Sequence, residues 1–385
     1  MLNRDRYVPS VLERSIALAP GFGVLALSAL FFVFLAGYVS IRQAVLLFVG
    51  MGLGACLAAA RFGFTSGWRD LVTAKDPRSV LGQALLVLLA SAMALPLLSV
   101  FDELQSAAGP ISLSLLIGAF VFGASMQIAD GCGSGTLYKA GMGVSLNLAI
   151  LPVFALGSFL GSVHLPLWLS LGSFPPVLLL DHVDPSLGIL FIATGLAAVL
   201  GGVRLYVGPR RQWLHPRWIY AACGLAILAT LNLLLAGQAW GVVYGFGLWV
   251  AKIAVALSLF DASASGFWAA SQHQERLRES LLLDITSITN IGMLAGALVV
   301  YQLKDRLSSA GAEGALRQPG LSARQWGVAL CAGFLMGYSS RLAFGCNVGA
   351  MLSGISTGSL HGWIWMCAAF CGTLIGIRLR VRYGF

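Results

Sequence analysis

Gly131-Cys132-Gly133-Ser134-Gly135 and Gly345-Cys346-Asn347-Val348-Gly349 echo each other along one chain. Each lies in a hydrophobic segment long enough to cross a bilayer, which takes about 20 apolar residues. At an offset of 214, Phe120, Gly123, Ser125, Ala129, Gly131, Cys132, Gly135, Ser145 and Leu146 fall on Phe334, Gly337, Ser339, Ala343, Gly345, Cys346, Gly349, Ser359 and Leu360. That is nine identities in the 29 positions from Gly118 to Leu146. Packing of small residues between helices would account for recurring glycines, but not for the matched cysteine and phenylalanines. The pattern predicts a duplicated membrane protein with interrupted helices and a site near the midplane.

Composition agrees. Of the 385 residues, 58% are hydrophobic and 10% charged, where soluble domains carry roughly a quarter charged. A water-soluble globular fold is excluded. Runs such as Ser15–Tyr38, Ser79–Val100, Leu187–Val207 and Arg217–Gly237 are long enough to span. The first run follows Arg4, Arg6, Glu13 and Arg14 and is too long for a cleavable signal core. A multi-pass inner-membrane protein is expected. The net charge of +9 sits in loops flanking helices, as membrane topology requires, and gives no reason to expect nucleic acid. The seven cysteines lie mostly in apolar segments; Cys56, Cys223, Cys331, Cys367 and Cys371 read as small apolar filler. No Walker A motif, no Cys/His spacing for zinc or haem and no Ser/His/Asp arrangement occurs, so no cofactor, metal or catalytic residue is expected.

Loop charge sets a topology. Asp102–Pro110 and Ser162–Ser186 lack Lys and Arg and are placed outside; Arg204–Arg217, Lys304–Arg324 and the end with Arg378, Arg380 and Arg382 are placed inside. Ile41–Lys75 and Gly241–Arg278 then read as segments that leave on the side they entered. About nine crossings remain, with the N-terminus outside. The expected fold is all-α and polytopic: a single integral domain with a first repeat at 15–186, a connecting helix and loop at 187–216 and a second repeat at 217–385. The two repeats are inverted and meet at a central constriction.

The breaks carry the chemistry. A helix is expected to end near Asp130, and glycines 131, 133 and 135 to break it before a short helix restarts with Ser134 as N-cap. Irregular backbone at membrane depth is tolerated where it is buried in protein or lines a cavity. The new helix turns its N-terminal N–H groups and positive dipole end toward the break, which suits an anion. Lys139, a turn along, adds positive charge. In the second copy Arg341 precedes the break at Gly345-Cys346, with Asn347 as the expected N-cap. An arginine within an apolar segment marks a functional site, paired with substrate or a carboxylate. His361 reads as a hydrogen-bonded packing residue. A third stretch, Arg61-Phe62-Gly63-Phe64-Thr65-Ser66-Gly67-Trp68-Arg69-Asp70, offers hydroxyls and the Arg61 charge, while Arg69 reads as part of a basic loop. Asp130, Asp261 and Asp284 are the few carboxylates placed for proton coupling.

These residues resemble the YeeE/YedE family of membrane proteins, implicated in uptake of thiosulfate and other sulfur compounds. The resemblance runs from about Ile41 to Arg380. It rests on Arg61-Phe62-x-Phe64 with Arg69-Asp70, on Gly131-Cys132-x-Ser134-Gly135 with Tyr138 and Lys139, and on Phe344-Gly345-Cys346-Asn347-Val348-Gly349 with Ser353-Gly354. It implies an hourglass fold in which thiosulfate passes by hydrogen bonds to pore thiols, here Cys132 and Cys346. The family's third cysteine is replaced by Gly63, the open position in Arg61-Phe62-x-Phe64. It also implies a small TusA-like sulfur carrier as a separate partner protein. The expected substrate path comprises Gly131, Cys132, Gly133, Ser134, Gly135, Lys139, Arg341, Gly345, Cys346, Asn347, Gly349, Arg61 and Gly63, in a monomer surrounded by membrane lipid. Two other readings stay open: a membrane-embedded sulfurtransferase using a cysteine persulfide, and transport of a different sulfur or selenium species or an unrelated ion, with the cysteines merely packed.

Overall fold

In a computed structural model, backbone is described for residues 11–209, 211–307 and 320–385, and side chains for residues 23–209, 211–303 and 320–385. Arg4, Arg6 and most of the Lys304–Arg324 loop lie outside the described residues. The protein is helical almost throughout. Among the described residues nine segments are long and apolar enough to cross a membrane. Three of them are broken into two helices: α2 (Ile41–Ala60) with α3 (Phe64–Ala74), α5 (Leu113–Ile128) with α6 (Gly133–Gly141), and α13 (Ala323–Leu342) with a π-helical turn (Asn347–Leu352) and α14 (Ser353–Ser356). The unbroken spans are α4 (Arg78–Val100), α7 (Ser145–Leu169), α8 (Pro185–Val207), α9 (Pro216–Ala236), α12 (from Ile285) and α15 (Leu360–Tyr383). Before them runs α1 (Val11–Tyr38). A two-stranded ribbon, β1 (Ile111–Ser112) with antiparallel β2 (Ser173–Phe174), ties the start of α5 to the end of α7 on one face.

Each break is made by a left-handed residue. Arg61 (φ 49°), Asp130 (φ 53°) and Phe344 (φ 59°) adopt a conformation uncommon outside glycine. Gly345 follows at φ 149°, where a Cβ would also lie 2.7 Å from the Ala350 amide nitrogen. The cap differs from the Ser134 expectation. Cys132 itself is the N-cap of α6, its Sγ accepting the Gly135 N–H at 3.4 Å. In the second copy Cys346, not Asn347, is the cap.

Helix crossings are tight because glycine removes Cβ where backbones meet. A Cβ on Gly123 would overlap the Ala369 carbonyl oxygen, and one on Gly337 would overlap that of Phe154. These glycines are the matched pair of the duplicated stretch, and they join α5 to α15 and α13 to α7. The broken helices themselves are antiparallel. Gly118, early in α5, packs on Ser339 and Ala343 at the end of α13, and the Ser114 hydroxyl donates to the Leu342 carbonyl at 2.6 Å. The breaks after α5 and α13 therefore approach from opposite faces.

One expected same-side segment does not behave so. The Arg42 guanidinium bonds the Leu235 carbonyl at the end of α9, whereas Lys75 lies over Tyr206 at the end of α8. These ends are on opposite faces, because α8 and α9 are consecutive spans joined by a short loop. Ile41–Ala74 is a crossing; the glycine and phenylalanine break bends the helix without returning it. Gly241–Arg278 fits the same-side reading. Val243, at the start of α10 (Val243–Ala256), accepts from Ser158 midway along α7, and α11 (Ser271–Arg278) folds back so that Tyr244 meets His273 at 3.0 Å.

Candidate functional site

Both breaks deliver their cysteines to one point. Cys132 and Cys346 are 1% and 0% exposed. A Cβ on Gly133 would lie 3.1 Å from the Cys346 sulfur, and one on Gly135 would lie 3.3 Å from the Cys132 sulfur. Glycine at 133 therefore lets the backbone of one copy touch the thiol of the other. Ser134 Oγ stands 3.4 Å from Cys132 Sγ. The Gly135 N–H donates to the Cys132 sulfur, while in the contact with Ser134 either the thiol or the hydroxyl can be the donor. The Asn347 side chain is fully buried, and neither its oxygen nor its nitrogen has a partner among the described residues. A buried amide without partners is costly, and this one adjoins Cys346.

On one side of this point a polar cavity of about 350 Å³ reaches the backbone of Gly345 and Gly349. Its charged wall is Arg341 and Arg276, with His273, Tyr244 and Gln238 beside them. Arg341 does not snorkel, and among the described residues it finds no carboxylate. Its guanidinium sits over the Phe267 ring at 4.9 Å and the Tyr244 ring at 5.4 Å, and its Nε has no hydrogen-bond partner. Arg276 lies over the other end of Tyr244 at 4.9 Å, 3.6 Å from buried Asp284. The Asp284 carboxylate chiefly caps α12 through Ser287. The His273 ring stacks on Phe267 at 4.1 Å. Burial, then the Arg341 and Arg276 charges, holds its pKa down at about 4, so it is neutral near pH 7.

On the other side the Asp130 carboxylate gathers three cations: Lys139 at 2.7 Å, Arg69 at 2.9 Å and Arg380 at 3.4 Å. Two expectations change here. Arg69 is not a loop charge; at 21% side-chain exposure it is paired across to α5. Lys139 does not point its charge at the cysteines, because Asp130 takes it through both carboxylate and carbonyl. Nor is Asp130, held among three cations, poised as a proton carrier. Asp261 is an exposed cap of a short turn.

Other expected residues are scattered. Arg61 is exposed at the α2–α3 break. Gly63 caps α3, and a Cβ there would collide with the Ser66 hydroxyl. His361 is buried and bonded to Ser359 at 2.7 Å, a packing residue as expected. Cys56 packs on Gly224 of α9, while Cys331, Cys367 and Cys371 are exposed on the apolar exterior. Sequence reading missed Tyr244, His273, Arg276 and Arg380. Only the charge of the arginines and their place in or beside apolar runs could have marked them.

Residues 59–375 match the family described as "Sulphur transport". The thiosulfate transporter TsuA of Spirochaeta thermophila is 26% identical over 341 residues, covering 83% of this chain and 93% of that protein. The probable transporter YedE of Escherichia coli is 28% identical over 176 residues, 45% of this chain and 40% of YedE. Escherichia coli TsuA is 30% identical over 125 residues, 31% of this chain and 34% of its own length. The chain, a multi-pass membrane protein, belongs to the sulphur transport family.

Proposed function

We propose that the protein takes up thiosulfate, or a closely related sulfur-containing anion, across the inner membrane through a central path lined by Cys346 and Cys132. One observation carries this reading: two oppositely oriented breaks meet, with the Cys346 sulfur of one against Gly133, the residue after Cys132, of the other. The name of the Spirochaeta relative supports the choice of ion.

Thiosulfate is a small dianion with a soft terminal sulfur. The Arg341 cavity would attract it and strip part of its water. From there the ion meets the Cys346 and Cys132 thiols, weak S–H donors, with the α6 N–H groups offsetting charge. Neutral donors in series bind weakly enough to release, which conduction requires. The ion leaves chemically unchanged, so no enzymatic step is involved. Gly131, Gly133, Gly135, Gly345 and Gly349 keep the backbone close to the path, and Ser134 and Asn347 add polar contacts. Lys139, Arg61 and Gly63 flank it. The two halves, 15–186 and 217–385, act as inverted repeats joined by 187–216, so one chain supplies both sides of the pore and a monomer suffices. A separate TusA-like sulfur-carrier protein is the proposed partner on the receiving side.

The test is uptake of radiolabelled thiosulfate into proteoliposomes, wild type beside Cys132→Ala, with intact-mass measurement of the protein afterwards. Uptake at least about tenfold lower in the variant, with no mass gain on wild type, is expected for a thiol relay. Gain of one sulfur atom on Cys132 would instead mean a persulfide-forming sulfurtransferase. Unchanged uptake by the alanine variant would overturn the role of the thiol.

A further inference from the structure

The geometry points to a second anion-binding site at the opposite end of the path, built by Arg69, Lys139 and Arg380, in which Asp130 is a tethered counter-ion that a divalent sulfur oxyanion displaces. This inference rests on the transport reading for the identity of the ion, but not for the existence of the site.

Charge is the first argument. Three cations meet one carboxylate within 2.7–3.4 Å. Asp70, the exposed neighbour of Arg69, offsets part of the remainder and makes no ion pair among the described residues. The cluster keeps an excess of positive charge. A lock for the fold alone would need one cation per carboxylate.

Donor geometry is the second. A guanidinium carries five N–H donors in a planar fork that fits an oxyanion bidentately. Among the described residues, Arg69 spends only Nη1, on Asp130. Arg380 likewise spends only Nη1, shared between Asp130 and the Gln127 carbonyl at 2.8 Å. Among the described residues the other donors of both forks have no partner. The four side chains are 14–22% exposed, so an ion can reach them from solution.

Placement is the third. Asp130 is two residues from Cys132, and its left-handed backbone is the hinge of the break. Between them the Thr136 hydroxyl is fully buried without a partner, 2.9 Å from where a Cβ on Gly131 would stand. The Gln127 side-chain oxygen, also fully buried, has no partner either. Polar groups thus continue from the thiols to the cluster.

A bare tricationic site would hold a dianion too tightly to pass it on. The tethered carboxylate competes for the same donors, so the ion is bound and then expelled as Asp130 swings back.

The test uses the full chain in nanodiscs, with radiolabelled thiosulfate and, separately, radiolabelled sulfate as binding probes, beside uptake in proteoliposomes. Asp130→Asn removes the competitor at constant size. Both probes are expected to bind on the order of tenfold tighter than to wild type, while thiosulfate turnover falls. Combined with Cys132→Ala, the tighter binding should persist although uptake is lost. Lys139→Gln, which leaves Asp130 two arginine partners, is expected to weaken binding of both probes without a matching loss of melting temperature. Unchanged affinity in Asp130→Asn and Lys139→Gln would overturn the site and leave a structural ion cluster. If Asp130→Asn does not fold, Lys139→Gln decides alone by the same criterion. Tighter sulfate binding by Asp130→Asn, with no thiosulfate uptake by wild type, would keep the site and refute the transport reading.

Discussion

Gly133 is the position where a single methyl group tells most. Its backbone is ordinary helix start, so alanine is tolerated conformationally. The cost lies in space: the new Cβ would sit 3.1 Å from Cys346 Sγ, 3.2 Å from Cys346 Cβ and 3.6 Å from the Phe154 ring. Contacts this short force the neighbours apart, and overpacking typically costs about 1–3 kcal/mol. For Gly133→Ala we expect a lower melting temperature and, more tellingly, thiosulfate uptake reduced at least about tenfold with the protein still inserted, since the methyl enters the point where the two breaks meet. Uptake within twofold of wild type would mean the ion does not pass between the cysteines. Gly135→Ala, 3.3 Å from Cys132 Sγ, makes the companion measurement on the other thiol. Both glycines were legible in the sequence as breakers beside a repeated cysteine. The role of Gly133 as a contact point was not, because it depends on a partner 213 positions away.

At the scale of elements, the α10–α11 hairpin carries the wall of the cavity and a titratable group. His273 is packed by Phe267, bonded to Tyr244 and faced by Arg341 and Arg276. Its pKa in the fold, about 4, is below the ordinary 6.5 because burial and two cations disfavour the imidazolium. The unfolded chain therefore takes up the proton first as pH falls. Stability from this group is complete above about pH 6.5, declines as pH drops below it and is fully lost below about pH 4. Protection factors of the amides in residues 271–278, that is, exchange corrected for its intrinsic pH dependence, should fall between pH 7 and pH 5, and His273→Gln should flatten that dependence. An equally steep dependence in the variant would assign it to another group. This hairpin also shows what sequence pattern can and cannot fix. The same-side reading of Gly241–Arg278 came from the loop charges, and the fold agrees. The same logic misread Ile41–Lys75, because a left-handed Arg61 permits a bend whose angle no pattern of apolar residues encodes. Likewise, Arg69, Lys139 and Arg380 were each visible as charges, but convergence on Asp130 is a product of three helix crossings.

On the proposed reading, the whole molecule is organised as a path with charge at both mouths and neutral donors between. Because α5 and α13 are antiparallel, the break after α13 faces the Arg341 cavity and the break after α5 faces the Asp130 cluster. The order along the path is then Arg341, Cys346, Cys132, Asp130. This order makes a sided prediction about thiol access. In a background with Cys56, Cys223, Cys331, Cys367 and Cys371 replaced by alanine, a membrane-impermeant anionic methanethiosulfonate added at the cavity face should modify Cys346 before Cys132. Added at the opposite face, it should modify Cys132 first. Thiosulfate should slow both reactions. The anionic reagent should outpace a cationic one of similar size on the order of tenfold at the cavity face, because the wall there is positive, and Arg341→Gln should shrink that ratio. The same thiol reacting first from both faces would refute the order, while absence of charge preference would remove Arg341 from the path. Neither result can come from local packing of either cysteine, since each requires the two halves of the chain to open toward different sides of the membrane.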